Sequence, residues 1–247
     1  SAICARLLGI KVIFYSLTPL HQKYSESRRI ITNLLLSLFD AVWMTPTEGN
    51  KIKYEFYPKG MYFIPFAVPQ WIDKTKPVDE IPKLLMISKF QLRKNYLLFL
   101  EAINKLKDKY DFRVTLVGEC VSEKQHLEFK KVQDYILLNK LENIVDIKLN
   151  IPFSKIKEYY NSHDLFVLPA RDEPAGISIL EALSCGLPVI CSTTCGNQYY
   201  IEQGLNGHIF KCEVLDDLIE KIGTCINDNE KLSKMKEDSF FHSKKTI

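Results

Sequence analysis

Glu173-Pro174-Ala175-Gly176-Ile177-Ser178-Ile179-Leu180-Glu181-Ala182-Leu183-Ser184-Cys185-Gly186-Leu187-Pro188-Val189-Ile190 holds a loop, a helix and the opening of a strand in one unbroken run. Pro174 and Gly176 keep Glu173 off any helix, whereas the apolar spacing from Ile177 onward predicts a short amphipathic helix over 177–185. Gly186 ends that helix and Pro188 opens the next strand. Glu173 therefore falls on the approach loop and Glu181 in the second helical turn.

Working outward, the chain alternates strand and helix signals. Strands are expected at 11–15, 41–45, 62–66, 83–88, 113–117, 144–148, 164–168, 188–192 and 208–210. Helices are expected at 27–39, 96–107, 123–139, 155–162, 177–185 and 214–226. Such alternation predicts an α/β fold with parallel strands and helices on both faces. Pro69, Pro77 and Pro82, set among charges, mark 70–82 as a linker. Residues 83–238 then carry enough strands for one complete doubly wound, Rossmann-like domain. Residues 1–69 carry only part of a second, and 239–247 begin a further helix.

Composition narrows the function classes. The 247 residues are 46% hydrophobic and 26% charged, enough for one or two cores. A net charge of +3 without any dense Lys/Arg block argues against a nucleic-acid partner. Seven cysteines, odd in number and without Cys-x-x-Cys pairs, read as free thiols in a reducing cytoplasm. No apolar run is long enough to cross a bilayer. The five histidines form no metal-ligand spacing and no Asp-x-Asp occurs, so no metal is expected.

The decisive string suits a ligand bearing both phosphate and hydroxyl groups. A helix N-terminus offers unpaired N–H groups and a positive dipole end, so a diphosphate would rest at Gly176, Ile177 and Ser178. Carboxylates repel phosphate but accept well from sugar hydroxyls, which places Glu173 and Glu181 beside the two sugar parts of a nucleotide-sugar. Two glutamates eight apart mean nothing alone; the surrounding string supplies the weight. Lys89 and Lys94 lie just past the strand at 83–88, where ammonium groups neutralise a diphosphate, the alternative being two solvated surface lysines. Gly118 closes the strand at 113–117 and either admits the backbone to the nucleotide or simply ends the strand.

The pattern Glu-Pro-x-Gly through Cys-Gly-x-Pro-Val-Ile resembles the signature of retaining GT-B glycosyltransferases of the family-4-like, group 1 kind. The resemblance extends to Phe63-Ile64-Pro65-Phe66-Ala67-Val68, Lys83 to Phe90, Arg93-Lys94-Asn95, Gly196 and Gly204-x-Asn206-Gly207, about 60–240 in all. It implies a GT-B fold, with 83–238 as the donor-binding domain and 1–69 as part of the acceptor-side domain. The implied reaction is sugar transfer from a nucleoside-diphosphate sugar such as a UDP-sugar to an acceptor hydroxyl, with retention of configuration, in polysaccharide or glycolipid synthesis. The acceptor would be a saccharide or a lipid-linked one.

Under the resemblance Lys89 and Lys94 stabilise the leaving diphosphate, Glu173 orients the donor sugar, Glu181 holds the ribose and Ile151 packs the base. His21 is the acceptor-side candidate, four residues past Leu17, which stands where the family often has histidine. A surface histidine in a Pro-containing loop is its alternative. Tyr199, Ala175 and Cys120 depart from the family's usual Glu, aromatic and Gly. With the acceptor half incomplete, the resemblance implies a fragment, and a non-catalytic nucleotide-sugar-binding module or an inactive fragment is the second reading. Arg28-Arg29 ahead of Ile30, Ile31, Leu34, Leu35, Leu36, Leu38 and Phe39 fits a peripheral membrane contact on anionic lipid, or else an ordinary core stripe.

Overall fold

A computed structural model describes residues 2–16, 27, 30–31, 34–35, 37–44, 61–63, 68–69, 71, 75–173 and 175–246. Among these, α1 (Ala2–Leu7) precedes a parallel sheet of β1 (Ile13–Ser16), β2 (Ala41–Met44) and β3 (Met61–Phe63), in that order. A second sheet follows, built from β4 (Lys83–Lys89), β5 (Arg113–Glu119), β6 (Val145–Leu149), β7 (Leu165–Leu168), β8 (Val189–Ser192) and β9 (Gly207–Phe210). All its pairings are parallel and its order is β6-β5-β4-β7-β8-β9. The expected α/β fold with parallel sheets is the fold observed.

Crossovers in the second sheet are α2 (Tyr96–Leu106), α3 (Glu123–Leu138), α4 (Phe153–Asn161) and α5 (Ile177–Ser184), with α6 (Leu215–Ile226) and α7 (Asn229–Thr246) closing the unit. The central strands explain their own burial. Leu165-Phe166-Val167-Leu168 is apolar at every position because both faces are covered by helices, and all four side chains are buried. Tyr96, Phe99, Leu100 and Ile103 of α2 give the stripe that seats this helix on the sheet.

Boundaries moved where local chemistry outweighed periodicity. The helix expected at 155–162 begins at Phe153, because Pro152 takes the cap position with φ −56°; exposed Phe153 adds nothing to the apolar stripe. The division expected between 238 and 239 falls inside α7, one continuous helix whose Leu232, Met235, Lys236, Ser239, Phe240 and Ser243 are buried. Ser239 there donates to the Leu187 carbonyl at 3.0 Å, and Lys236 Nζ reaches Asp164 Oδ1 at 2.6 Å.

The Pro-rich segment 70–82, expected as an interdomain linker, and Val68 just before it lie against the second sheet's unit where they are described. Val68, Trp71 and Val78 pack on the core, the Val78 N–H donates to Ser233 Oγ at 2.9 Å, and Asn229 Nδ2 donates to the carbonyls of Asp79 and Glu80. Ile30, Ile31, Leu34 and Leu35, described as helical, stand exposed and are not core.

Candidate active site

Strand order fixes where a ligand fits. β4 and β7 are neighbours, yet the chain leaves them toward opposite flanks of the sheet, so their carboxyl ends define the topological switch point where doubly wound sheets open a crevice. β4 ends at Lys89 and the loop after it carries Phe90 to Asn95, and the loop after β7 carries Glu173. The Arg171 N–H donates to the Arg93 carbonyl at 2.8 Å, joining the two.

Glu173 is 7% exposed and Lys94 8%. A 3-10 turn over Leu92–Lys94, closed by Asn95 in the left-handed region (φ 58°), turns Lys94 inward, and its ammonium meets Glu173 Oε2. Arg93 Nη1 reaches the same oxygen at 3.0 Å and donates to the Asp172 carbonyl at 2.8 Å, while the Gly176 N–H donates to Glu173 Oε1 at 3.1 Å. Burial raises the Glu173 carboxyl, but Lys94 and Arg93 outweigh it and hold the group below its ordinary value. Burial lowers the Lys94 ammonium against the opposing pull of Glu173. The alternative of a solvated surface lysine thus fails for Lys94, which forms a buried ion pair because the 3-10 turn points it into the loop of β7.

The approach loop is held from a third direction. Gly196 N–H donates to the Glu173 carbonyl at 2.8 Å, and Asn197 Nδ2 donates to the carbonyls of Ala175 and Gly176, the latter at 3.2 Å. Gly176 adopts φ 52° as the cap residue of α5, a conformation natural to glycine. No side chain caps α5, so the N–H groups of Ile177 and Ser178 lack an intrahelical partner. Ile177 is exposed and Ser178 partly buried.

Glu181, partly buried in the second turn of α5, accepts from Tyr160 Oη of α4 at 2.8 Å. Burial pushes its carboxyl up, and the tyrosine hydrogen bond pulls it back in part.

A cavity of about 540 Å³ opens beside these loops, lined by Ser88, Lys89, Gly118, Glu119, Asn150, Ile151 and aliphatic side chains. Lys89, half-exposed, pairs with Glu119 at 3.1 Å. Asn150 fixes the wall: its Oδ1 accepts from the Cys120 N–H at 2.7 Å and its Nδ2 donates to the Cys120 carbonyl at 3.1 Å. Gly118 has a reason the sequence did not disclose. A Cβ there would lie 2.1 Å from the ring of Phe90, itself stacked on Tyr96 at 4.5 Å. Gly118→Ala is therefore expected to destabilise by about 1–3 kcal/mol through overpacking. Urea unfolding checks this, and an unchanged midpoint refutes it.

The structure thus gathers Lys94, Glu173 and Gly176 into one cluster, with Glu181 on the helix behind it, and gathers Lys89, Gly118 and Ile151 around the cavity. Both lie at the carboxyl edge of one sheet. Arg93, Asn197 and Tyr160 went unassigned in sequence; only the adjacency Arg93-Lys94 offered a signal for any of them. His21 and Leu17 fall outside the described residues. Among the described residues no cluster of three His, Cys, Asp or Glu suits a metal, and no helix is long and apolar enough to cross a membrane.

Comparison with known proteins follows the same outline. The family model described as Glycosyl transferases group 1 matches residues 68–240. The N,N'-diacetylbacillosaminyl-diphospho-undecaprenol alpha-1,3-N-acetylgalactosaminyltransferase of Campylobacter jejuni is 32% identical over 163 residues, covering 64% of this chain and 39% of that protein. The N-acetyl-alpha-D-glucosaminyl L-malate synthase of Bacillus anthracis is 26% identical over 198 residues, covering 77% of this chain and 48% of that one. The chain thus spans half or less of the length of these curated relatives. Among solved structures, Anabaena Alr3699/HepE in complex with UDP superposes with a TM-score of 0.81 at 18% identity, covering 99% of this chain and 70% of that one. Sucrose-phosphate synthase from Thermosynechococcus elongatus gives 0.80 at 17% identity, covering 99% and 66%. These likenesses carry the GT-B fold, and with a family match over more than two thirds of its length the chain belongs to the glycosyl transferases group 1 family.

Proposed function

We propose that this chain carries the donor side of a glycosyltransferase that moves a sugar from a nucleoside-diphosphate sugar to an acceptor hydroxyl with retention of configuration. The observation that supports it best is the meeting of Glu173 with Lys94 and Arg93 beside the uncapped N-terminus of α5, at the sheet's switch point. The diphosphate would rest on the N–H groups of Ile177 and Ser178, with Lys89 and Lys94 sharing its charge. As the bond from the anomeric carbon to the diphosphate oxygen breaks, these groups would take up the leaving charge, the acceptor oxygen would bond to that carbon from the same face, and the acceptor's hydroxyl proton would pass to the departing diphosphate oxygen. Diphosphate binding would draw Lys94 from Glu173 and release that carboxylate to accept from donor-sugar hydroxyls. The base would occupy the cavity at Gly118 and Ile151, and Glu181 would hold the ribose. No metal ion is needed for this charge balance.

The solved relative bound to UDP supports a uridine donor, and the relative named for an undecaprenol-linked acceptor supports a lipid-linked or saccharide acceptor in glycolipid or polysaccharide synthesis. Calorimetric titration with UDP, GDP and ADP, paired with a transfer assay, tests the reading. Glu181→Ala is expected to weaken nucleotide binding about 10–100-fold, the worth of hydrogen bonds to a charged group. Glu173→Ala is expected to lower transfer with a smaller effect on nucleotide binding, and unchanged binding and turnover in both variants counts against the proposal. Glu181 must be ionised to accept hydroxyls and its pKa is raised, so nucleotide affinity is expected to fall as pH drops, beginning above the ordinary 4.5. Nucleotide binding without transfer would identify a non-catalytic binding module, and absence of binding an inactive fragment.

A further inference from the structure

Glu173 and Glu181 differ in how the fold treats them. Glu173 is neutralised by two cations, whereas Glu181, partly buried, has among the described residues no cation and one side-chain partner, the hydroxyl of Tyr160. An unpaired carboxylate drawn out of water is costly, and the cost falls when it accepts hydrogen bonds. Tyr160 supplies one such bond, to Oε2, and fixes the plane of the carboxylate.

Tyr160 is itself held independently of that bond. Its side chain has 0% exposure, with its ring 5.8 Å from Phe166 of β7 and 5.8 Å from Trp71 of the segment preceding β4. A tyrosine hydroxyl has one proton to donate, and at 2.8 Å it goes to Glu181; the Ser178 carbonyl lies farther, at 3.4 Å. Tyr160 takes one lone pair of Oε2, so Oε1 and the other lone pair of Oε2 are left to accept, and a vicinal pair of hydroxyls matches these two oxygens.

We propose that Tyr160 is a positioning residue that makes the nucleotide site selective for ribose over 2′-deoxyribose, by holding Glu181 in the one orientation that accepts both ribose hydroxyls. This rests on the reading that Glu181 faces the nucleotide ribose. Tyr160 touches no ligand; it acts through the carboxylate.

The test is calorimetric titration of UDP, GDP and ADP, each beside its 2′-deoxy counterpart, against the full chain, Tyr160→Phe and Glu181→Gln. The unsubstituted chain is expected to prefer the ribonucleotide by about 10-fold or more. Tyr160→Phe keeps the ring packing and is expected to narrow that preference to about 2–3-fold, weakening the ribonucleotide while leaving the deoxynucleotide within about 2-fold. Glu181→Gln retains Tyr160 and should lose the same preference, so the question stands even if Tyr160→Phe does not fold. A purely structural role for Tyr160 would weaken both nucleotides alike. Binding with the preference intact in either folded variant overturns this proposal alone, while absence of binding to any of the three diphosphates by the unsubstituted chain overturns the donor-site reading together with it.

Discussion

Glu173→Ala is expected to unfold the second-sheet unit more readily than any substitution on the face of the site, by about 3–5 kcal/mol. Removing the carboxylate leaves Lys94, 8% exposed, buried without a counter-charge, costs Arg93 one of its acceptors and leaves the Gly176 N–H without the one it has. For a unit of this size that corresponds to a fall in midpoint temperature of roughly 10 °C. Replacing both partners, Glu173→Ala with Lys94→Met, removes the orphaned ammonium and should recover much of the stability while transfer stays lost. Thermal unfolding of the two variants side by side checks the order, and a single variant as stable as the parent contradicts the ion pair's role. The pH dependence has a definite sign. A carboxyl held below its ordinary 4.5 in the folded state contributes stability that is present above that value and is lost as pH falls through the lower folded one.

Gly207→Ala is expected to be the most damaging glycine substitution, costing more than about 4 kcal/mol. Gly207 pairs with Val189, and an added Cβ would fall 2.0 Å from the Val189 carbonyl oxygen and 2.8 Å from its nitrogen. Both are backbone atoms of a paired strand, so relief requires separating β8 from β9. That damage would travel to the site, because β8 runs into the turn whose Cys195 and Gly196 join the backbone of Glu173. Gly204, three residues earlier in the turn that leads into β9, has open space around it and only a left-handed φ of 79°. Its replacement by alanine should cost about 1–2 kcal/mol. Denaturant midpoints of the two variants separate these effects, and equal losses would refute the clash argument.

Much of the second sheet was legible because its signals are local. The runs at 83–88, 113–117, 164–168 and 188–192 became strands with ends shifted by no more than two residues. Two regions were less legible. The long helix α7 has a weak apolar stripe, since buried Lys236, Ser239 and Ser243 read as polar surface until Asp164 and Leu187 are seen opposite them. At Gly118 the sequence leaves a nucleotide contact and a strand end open, and gives no sign of the Phe90 ring that forbids a side chain there beside the cavity.

The sequence by itself left the helices at Ala2–Leu7 and across 229–238 unread. It determined the alternation of strands and helices from 83 to 226, the placing of Glu173 on a loop and Glu181 in a helical turn, and the glycines that bound the helix between them. These follow from spacing, proline, glycine and apolar periodicity, which act over a few residues. Only the tertiary structure decided that β4 lies beside β7, that Lys94 turns inward to Glu173, 79 residues away, and that Tyr160 holds Glu181. Parallel strand pairing and side-chain burial join residues by position in space, and no spacing along the chain encodes which two loops will meet.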